Sequence, residues 1–394
     1  MDYSQILSQQ FNIKEEYAKN IITLLDDGNT IPFIARYRKE MHGSMDDQLI
    51  REFAEKLEYL RGLDKRRDEI RSLIDAQEKL TDEINLALDK AATLSELEDI
   101  YRPYRPKRKT RASIAKEKGL EPLANDILKQ EKGFDPSKSA VDYIDEEKGV
   151  TSVEDAIQGA MDIIAELVSD NAEIRKRIRN LTNANGVLVS VATDEEKDSV
   201  YKNYYDYKEP VKKIAGHRVL AVNRGEKEGF LKVSVETDSE KPLNSIFRAM
   251  ITDKNQLCSD IIREACTDAY QRLIYPSIER EVRNDLTDTA SENAMKVFAV
   301  NLKQLLMQPP VKGKTVLALD PGYRTGCKTA VVDSTGKVLD TTVIYPTHSD
   351  KKIQESKQTL LRLIKKHHVD IISIGNGTAS KETEMFTAET IKEA

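Results

Sequence analysis

The stretch that most constrains this chain is Lys314 to Asp333, KTVLALDPGYRTGCKTAVVD, with the residues that follow it. Thr315 to Leu319 is a short apolar, β-branched run that ends in Asp320-Pro321-Gly322. Gly326 closes the turn before a second strand-like run, Thr329 to Val332. Ser334-Thr335-Gly336-Lys337 predicts a polar turn, and Val338 to Ile344 a third strand. From Asp350 to His368, Ile353, Leu360, Leu361, Leu363 and Ile364 recur at helical spacing. Val369 to Ile374 then predicts a buried strand that stops at Gly375-Asn376-Gly377. The order is three strands, a helix and a fourth strand, with one carboxylate, Asp320, at the tip of the first.

That order resembles the opening of a ribonuclease H-like domain. A working nuclease of this shape clamps a phosphodiester between two metal ions, which takes several acidic oxygens from different elements. The second carboxylate usually stands at the end of the fourth strand, and here that place reads Ile374-Gly375-Asn376. An amide brings neither charge nor strong affinity for a hard cation. Asp320 is therefore either a turn-capping residue or a vestigial catalytic candidate, and no metal site is expected. Actin-like and sugar-kinase ATPases also carry an Asp-x-Gly turn between two strands, which holds phosphate and metal. Pro321 removes one N–H from such a cradle.

A length of 394 residues predicts two or three domains. With 32% charged and 39% hydrophobic residues and no Trp, the chain reads as folded and helix-rich, neither disordered nor membrane-embedded. The net charge of −6 points to no partner by itself, so a polyanion site has to be a local patch. Cys258 and Cys266 would stand about 12 Å apart along one helix, too far for a disulfide, and Cys327 is alone. Such usage fits a reducing cytosol. No C-x-x-C spacing occurs. Asp2, Glu15 and Glu16 do not fit a secretory pattern. No run approaches the ~20 apolar residues of a membrane span. A cytoplasmic location with no membrane partner is expected.

Along the chain, residues 1–27 predict one helix with a stripe of Ile6, Leu7, Phe11, Tyr17, Ile21, Ile22, Leu24 and Leu25, stopped by Gly28-Asn29. A long amphipathic helix follows from Met45 with Leu49, Phe53, Leu57 and Leu60, continuing past Gly62 to Ile74. Thr81 and Ser95 are predicted N-caps. Another helix is expected from Thr151 to about Leu181. Val187 to Val191 predicts a strand, and Val219 to Val222 with Phe230 to Val235 a strand pair around Asn223-Arg224-Gly225. Helix returns from Asn244 to Met307, with an interruption expected at Tyr275-Pro276, a restart near Asp288 or Ser291, and a stop at Pro309-Pro310.

Tyr101 to Arg111, YRPYRPKRKTR, is the strongest partner signal. Six of its eleven residues are cationic, none is acidic, and two prolines keep it out of regular helix. Arg102, Arg105, Lys107, Arg108, Lys109 and Arg111 would displace condensed counterions from phosphates whatever the sequence. Tyr101 and Tyr104 would stack on unpaired bases. The competing reading is a solvated loop paired with acids elsewhere. Arg36, Arg38 and Lys39 form a smaller patch, for which helix-surface charge with local salt bridges is expected. His367 and His368 point about 100° apart on a helix, which disfavours a metal pair. Tyr201, Tyr204, Tyr205 and Tyr207 are expected to be packing groups. No P-loop and no Ser-His-Asp or Cys-His spacing occurs.

Several stretches together resemble the Tex family of bacterial transcription accessory proteins. They are TIPFIARYRKEM (30–41), IYRPYRPKRKTRASIAKEKGLEPLA (100–124), AYQRLIYPSIEREVRNDLT (269–287), LALDPGYRTGCKTAVVD (317–333) and IGNGTASKETE (374–384). The resemblance implies a multidomain, mainly α chain: a helical region with a helix-turn-helix-like part, a long central helix, and a partial α/β ribonuclease H-like domain of the YqgF, Holliday-junction-resolvase type. The expected division is 1–184 helical, 185–243 a small mixed insert, 244–311 central helices and 312–394 ribonuclease H-like. Helix-hairpin-helix modules and an OB-fold RNA-binding domain follow in the family, so the chain is expected to be a fragment. The function implied is a nucleic-acid-binding scaffold in transcription or RNA metabolism that is silent as a nuclease, without cofactor. RNA or DNA, contacted independently of sequence, is the expected partner, with RNA polymerase or the ribosome as the macromolecular machine. The alternatives are a metal-dependent nuclease or junction resolvase using Asp320, and an actin-like ATPase.

Overall fold

In the computed structural model, which describes residues 2–252, 254–309 and 311–392, the helix predicted over 1–27 is two helices, Tyr3–Phe11 and Glu15–Asp26. Met1 lies outside the described residues. Asn12 makes the division. It sits in the left-handed region at φ 51°, and its N–H and that of Ile13 close back onto the carbonyls of Gln9 and Ser8. Asparagine tolerates that conformation better than other side chains, a preference that an apolar stripe does not register. The chain divides into two compact units, Met1–Lys296 and Val297–Ala394.

In the first unit, the helix Asp47–Asp75 serves two cores in succession. Ile50, Phe53, Leu57 and Leu60 pack with Leu7, Ile21, Leu24 and Ile34. Within the next turn the second core begins, where Leu63, Ile70 and Ile74 pack with Leu88, Leu97 and Tyr101. Thr81 caps the helix Asp82–Lys90 as expected. The helix Leu94–Tyr101 is capped by Thr93, two residues before the expected Ser95. The reason is a Thr-x-x-Glu box: Thr93 accepts from Glu96 N–H while the Glu96 carboxylate reaches back to Ala92 N–H at 2.8 Å.

The largest core joins Leu120, Leu123 and Ile127 to Ile163, Ile164 and Val168, and these to Ile262, Ile274 and Val282. The helix expected over 151–181 is two, Val153–Asp170 and Ala172–Asn185, because Asn171 ends one and caps the next by accepting from Ile174 N–H. A three-stranded antiparallel sheet follows, β1 (Val187–Ala192), β2 (Asp206–Pro210) and β3 (Leu231–Glu236), in the order β2-β1-β3. The strand expected at Val219 to Val222 is instead part of the helix Gly216–Lys227. Val219, Val222 and Gly225 share its buried face, with spacing of three residues rather than two. Gly225 is not a turn glycine: a Cβ there would meet Leu231 Cδ1 at 2.5 Å, so the helix needs it to approach β3. Tyr201 is buried against β1 and β3, and Tyr204 and Tyr207 meet edge to face at 5.2 Å, as packing groups do.

Tyr275-Pro276 does not interrupt the long helix, and no restart occurs at Asp288 or Ser291. Gln256–Asp268 runs through a π turn, Ala269–Ile274, into the helix Tyr275–Leu306. The wide turn just before Pro276 moves aside the carbonyls that its ring would strike in a regular ladder. Pro310, half of the expected stop signal, lies outside the described residues. No described helix is long and apolar enough to cross a membrane.

The second unit follows its sequence pattern closely. β4 (Val316–Asp320), β5 (Cys327–Val332), β6 (Val338–Ile344) and β7 (Ile371–Ile374) form a sheet in the order β6-β5-β4-β7. Only the β4–β7 pair is parallel, as the ribonuclease H-like order requires. The helix Asp350–His367 supplies the crossover and covers one face, with Leu360 and Leu363 against Leu317, Leu319, Cys327 and Val331.

Asp340 on β6 accepts from Lys366 Nζ at 2.9 Å and contacts His367 Nε2 at 3.1 Å. The Lys366 hydrogen bond, then that of His367, lowers its carboxyl to about 2. A depressed carboxyl contributes stability that is complete above the unfolded value of about 3.9 and drains away as pH falls toward 2. Asp340→Asn should therefore be less stable than the parent near neutrality, by denaturant midpoint, and the gap should close between about pH 4 and pH 2. A gap that persisted at the acid end would contradict the assignment.

Candidate nucleic-acid interface

The basic segment leaves the C-terminus of the helix Leu94–Tyr101, an end that favours cations. Pro103 and Pro106 allow only one 3-10 turn, Arg102–Tyr104, before an exposed loop. Thr110 then caps the helix Arg111–Glu117 in a reciprocal box with Ser113. The loop is thus pinned at both ends.

Acids reach most of its cations. Arg102 donates to Asp170 at 3.3 Å, and Lys107 binds Asp170 and lies 3.5 Å from Glu166, one turn away on the same helix. Arg105 donates to Glu98 at 2.7 Å, and Lys109 stands 3.6 Å from Glu117. Arg111 faces Asp162, whose carboxyl is raised by burial against the opposing charges of Arg272 and Arg111. Arg108 is exposed and makes no ion pair among the described residues.

These partners do not weigh equally. The Lys109–Glu117 pair is about two-thirds exposed on both sides, and such pairs contribute at most about 1 kcal/mol, so a phosphate can replace Glu117 with little loss. Arg102 is different. Burial first, and the charge of Arg175 second, pull its guanidinium below the ordinary value, while Asp170 and Asp99 hold it in place. Arg102 and Lys107 act as anchors of the loop. Arg105, Arg108 and Lys109 are the side chains it presents to solvent. Tyr101 does not fit the stacking role: its side chain is only 6% exposed, within the core of Leu63, Ile70 and Leu97. Tyr104 is half-buried on the same core.

Sequence reasoning missed what holds the segment in position. Asp99, two residues before Tyr101, accepts from Arg175 Nε at 2.5 Å and Arg179 Nη2 at 2.7 Å. Glu281 accepts from the same two arginines at 2.6 and 2.8 Å, and Ser277 from Arg175 at 3.0 Å. The network ties the helices Leu94–Tyr101, Ala172–Asn185 and Tyr275–Leu306. Arg175 is 1% exposed. Burial opposes the charge on Arg179, but Asp99 and Glu281 outweigh it and raise its pKa. The only signal was the i,i+4 pairing of Arg175 with Arg179 and of Ser277 with Glu281, which names no partner.

In the second unit, β4 carries Asp320 to the rim of a concave sheet face of about 650 Å³, lined by Ala318, Ala330, Thr341, Ser373 and Gly375. Opposite Asp320 across the strand pair stands Lys328, a cation. On the parallel side Gly375 N–H donates to Leu319 O at 2.7 Å, and a Cβ on Gly375 would lie 3.6 Å from Asp320 Oδ1. The neighbouring strand end thus approaches Asp320 with backbone, not with an acid. Cys327 lies beneath, its thiol pushed up to about 11 by burial and then by the charge of Asp320. Among the described residues no three His, Cys, Asp or Glu are grouped to hold a metal ion.

Three family models match the chain: a Tex-like protein N-terminal domain over 1–75, a Tex central region-like segment over 131–298, and a Tex protein YqgF-like domain over 314–394. The chain is 44% identical over 400 residues to the uncharacterized protein YdcI of Bacillus subtilis, covering 100% of this chain and 56% of that protein. It is 39% identical over 403 residues to the transcriptional accessory protein Tex of Neisseria gonorrhoeae, covering 100% and 52%. It is 32% identical over 408 residues to the S1 RNA-binding domain-containing protein 1 of Homo sapiens, covering 99% and 40%. The chain therefore spans about half the length of the two bacterial relatives and less of the human one.

Proposed function

The chain belongs to the Tex family of transcriptional accessory proteins, and from that premise we propose that it is a nucleic-acid-binding scaffold in transcription or RNA metabolism with no catalysis of its own. The observation that carries the reading is the pinned loop Arg105–Lys109, a run of exposed cations without an acid of its own, in a chain whose net charge is −6. Phosphates would replace weak surface partners there and release counterions, a gain that does not depend on base sequence. RNA emerging from a polymerase, or read by a ribosome, would present such a strand.

The ribonuclease H-like unit would contribute shape and no chemistry. Its sheet tip offers one carboxylate, faced by Lys328 and a glycine, where metal-assisted phosphodiester cleavage needs several acidic oxygens. Fluorescence anisotropy with labelled single-stranded RNA and DNA, titrated with salt, tests the proposal. Log affinity should fall linearly with log salt concentration, with similar slopes for unrelated sequences. Binding that ignored salt, or no binding at low salt, would reject it.

A further inference from the structure

The patch expected to be neutralised by local salt bridges is not. Arg36, Arg38 and Lys39 make no ion pair among the described residues, whereas four of the six cations in the Arg102–Arg111 segment do. The cause is a break in the backbone. The helix Ile31–Tyr37 ends at Arg38, whose φ of −132° and ψ of 32° separate it from the short helix Lys39–His42. The kink folds Arg38 back. Its guanidinium donates to Tyr37 O at 3.0 Å and lies 5.0 Å from the centroid of the Phe33 ring.

Phe33 and Tyr37 are one helical turn apart, and their rings meet at 5.3 Å, tilted by 43°. Arg38 thus covers the Phe33 ring. Tyr37 remains 62% exposed, the most exposed tyrosine in the first unit. Beneath, Ile34 is fully buried in the N-terminal core and fixes the helix that carries both rings. Arg36 and Lys39 flank the tyrosine and are exposed. Glu40 follows Lys39 and is exposed, but no ion pair joins it to these cations among the described residues. An open aromatic face that a packed neighbour holds rigid, beside cations left unpaired, is the arrangement that takes a base on the ring and its phosphates on the cations. An acidic peptide would use the cations but would leave the ring face unused.

We propose that Tyr37, braced by the Phe33 ring that Arg38 covers, is a stacking platform for an unpaired base, with Arg36 and Lys39 holding the adjoining phosphates of a single-stranded nucleic acid. The site rests on the nucleic-acid reading above and is separate from the Arg105–Lys109 loop in sequence and in core. Its signature is selectivity for single strands, because paired bases hide their faces.

The test uses the full chain with labelled oligo(U), an abasic oligonucleotide of equal charge, and a duplex. Tyr37→Ala should weaken oligo(U) binding on the order of tenfold, leave the salt slope unchanged and leave abasic binding untouched. Tyr37→Trp should restore it. Arg36→Glu with Lys39→Glu should instead flatten the slope for all three probes. An oligo(U) affinity unaltered by Tyr37→Ala, in a chain that does bind oligo(U), would overturn this inference alone. Absence of nucleic-acid binding by the parent chain would overturn the proposed function as well. Competition by polyglutamate that is itself weakened by Tyr37→Ala would identify an acidic-peptide site and also overturn it. Tyr37 is exposed, so the melting temperature should not move, and a fall there would count against the platform.

Discussion

Asp99→Ala should unfold the first unit more readily than any surface change in this chain, by about 3–5 kcal/mol. Asp99 accepts from two arginines, and without it Arg175, 1% exposed, and Arg179 would share only Glu281. Burying an unmatched cation costs more than the lost hydrogen bonds, because the low-dielectric surroundings cannot solvate it. The denaturant midpoint should fall with little change in slope, and the melting temperature should drop by roughly 10 °C. A second readout is local. The helix Leu94–Tyr101 leads directly into the basic loop, so limited trypsin digestion should cut sooner between Arg105 and Lys109. Replacing Asp99, Arg175, Arg179 and Glu281 together with apolar residues of similar size should cost less than the single change. A midpoint within about 1 kcal/mol of the parent, with unchanged digestion, would mean that the network does not position the loop.

The second large effect is on binding. Arg108→Glu with Lys109→Glu should weaken single-stranded RNA and DNA alike by roughly ten- to a hundredfold near physiological salt. The slope of log affinity against log salt should flatten by about 1.4, the share of two phosphate contacts on a single strand. Neither side chain is part of a core, so stability should be unchanged, which separates this pair from Asp99. Arg102→Glu would be a poor substitute experiment, because Arg102 anchors the loop through Asp170. Unchanged affinity and slope in the Arg108/Lys109 variant would remove the loop from the interface.

The sheet of the second unit was the most legible part of the fold. Short apolar, β-branched runs at Thr315 to Leu319 and Thr329 to Val332, with Gly326 and Gly336 at positive φ in the turns, mark where its strands begin and end. Val219 to Val222 misled because Val-Leu-Ala-Val suits a strand locally, and only the burial of Gly225 against Leu231 selects the helix. Pro276 misled because a π turn relieves the clash that usually ends a helix. The cations at Arg102 to Arg111 were visible as composition. Their division into anchors and presented side chains was not, since it depends on Asp170, more than sixty positions away. The same holds for Asp99 with Arg175, 76 residues apart. Spacing reports which residues share a face, not what that face meets.

Grip without cleavage is the heart of this account, and one incubation addresses it. The full chain is mixed with end-labelled single-stranded RNA, single-stranded DNA and a four-way DNA junction, in Mg²⁺ or Mn²⁺, and each sample is read on a native gel and on a denaturing gel. Retarded complexes are expected on the first and intact strands on the second. New fragments that require the metal, and that disappear in Asp320→Asn, would contradict that expectation.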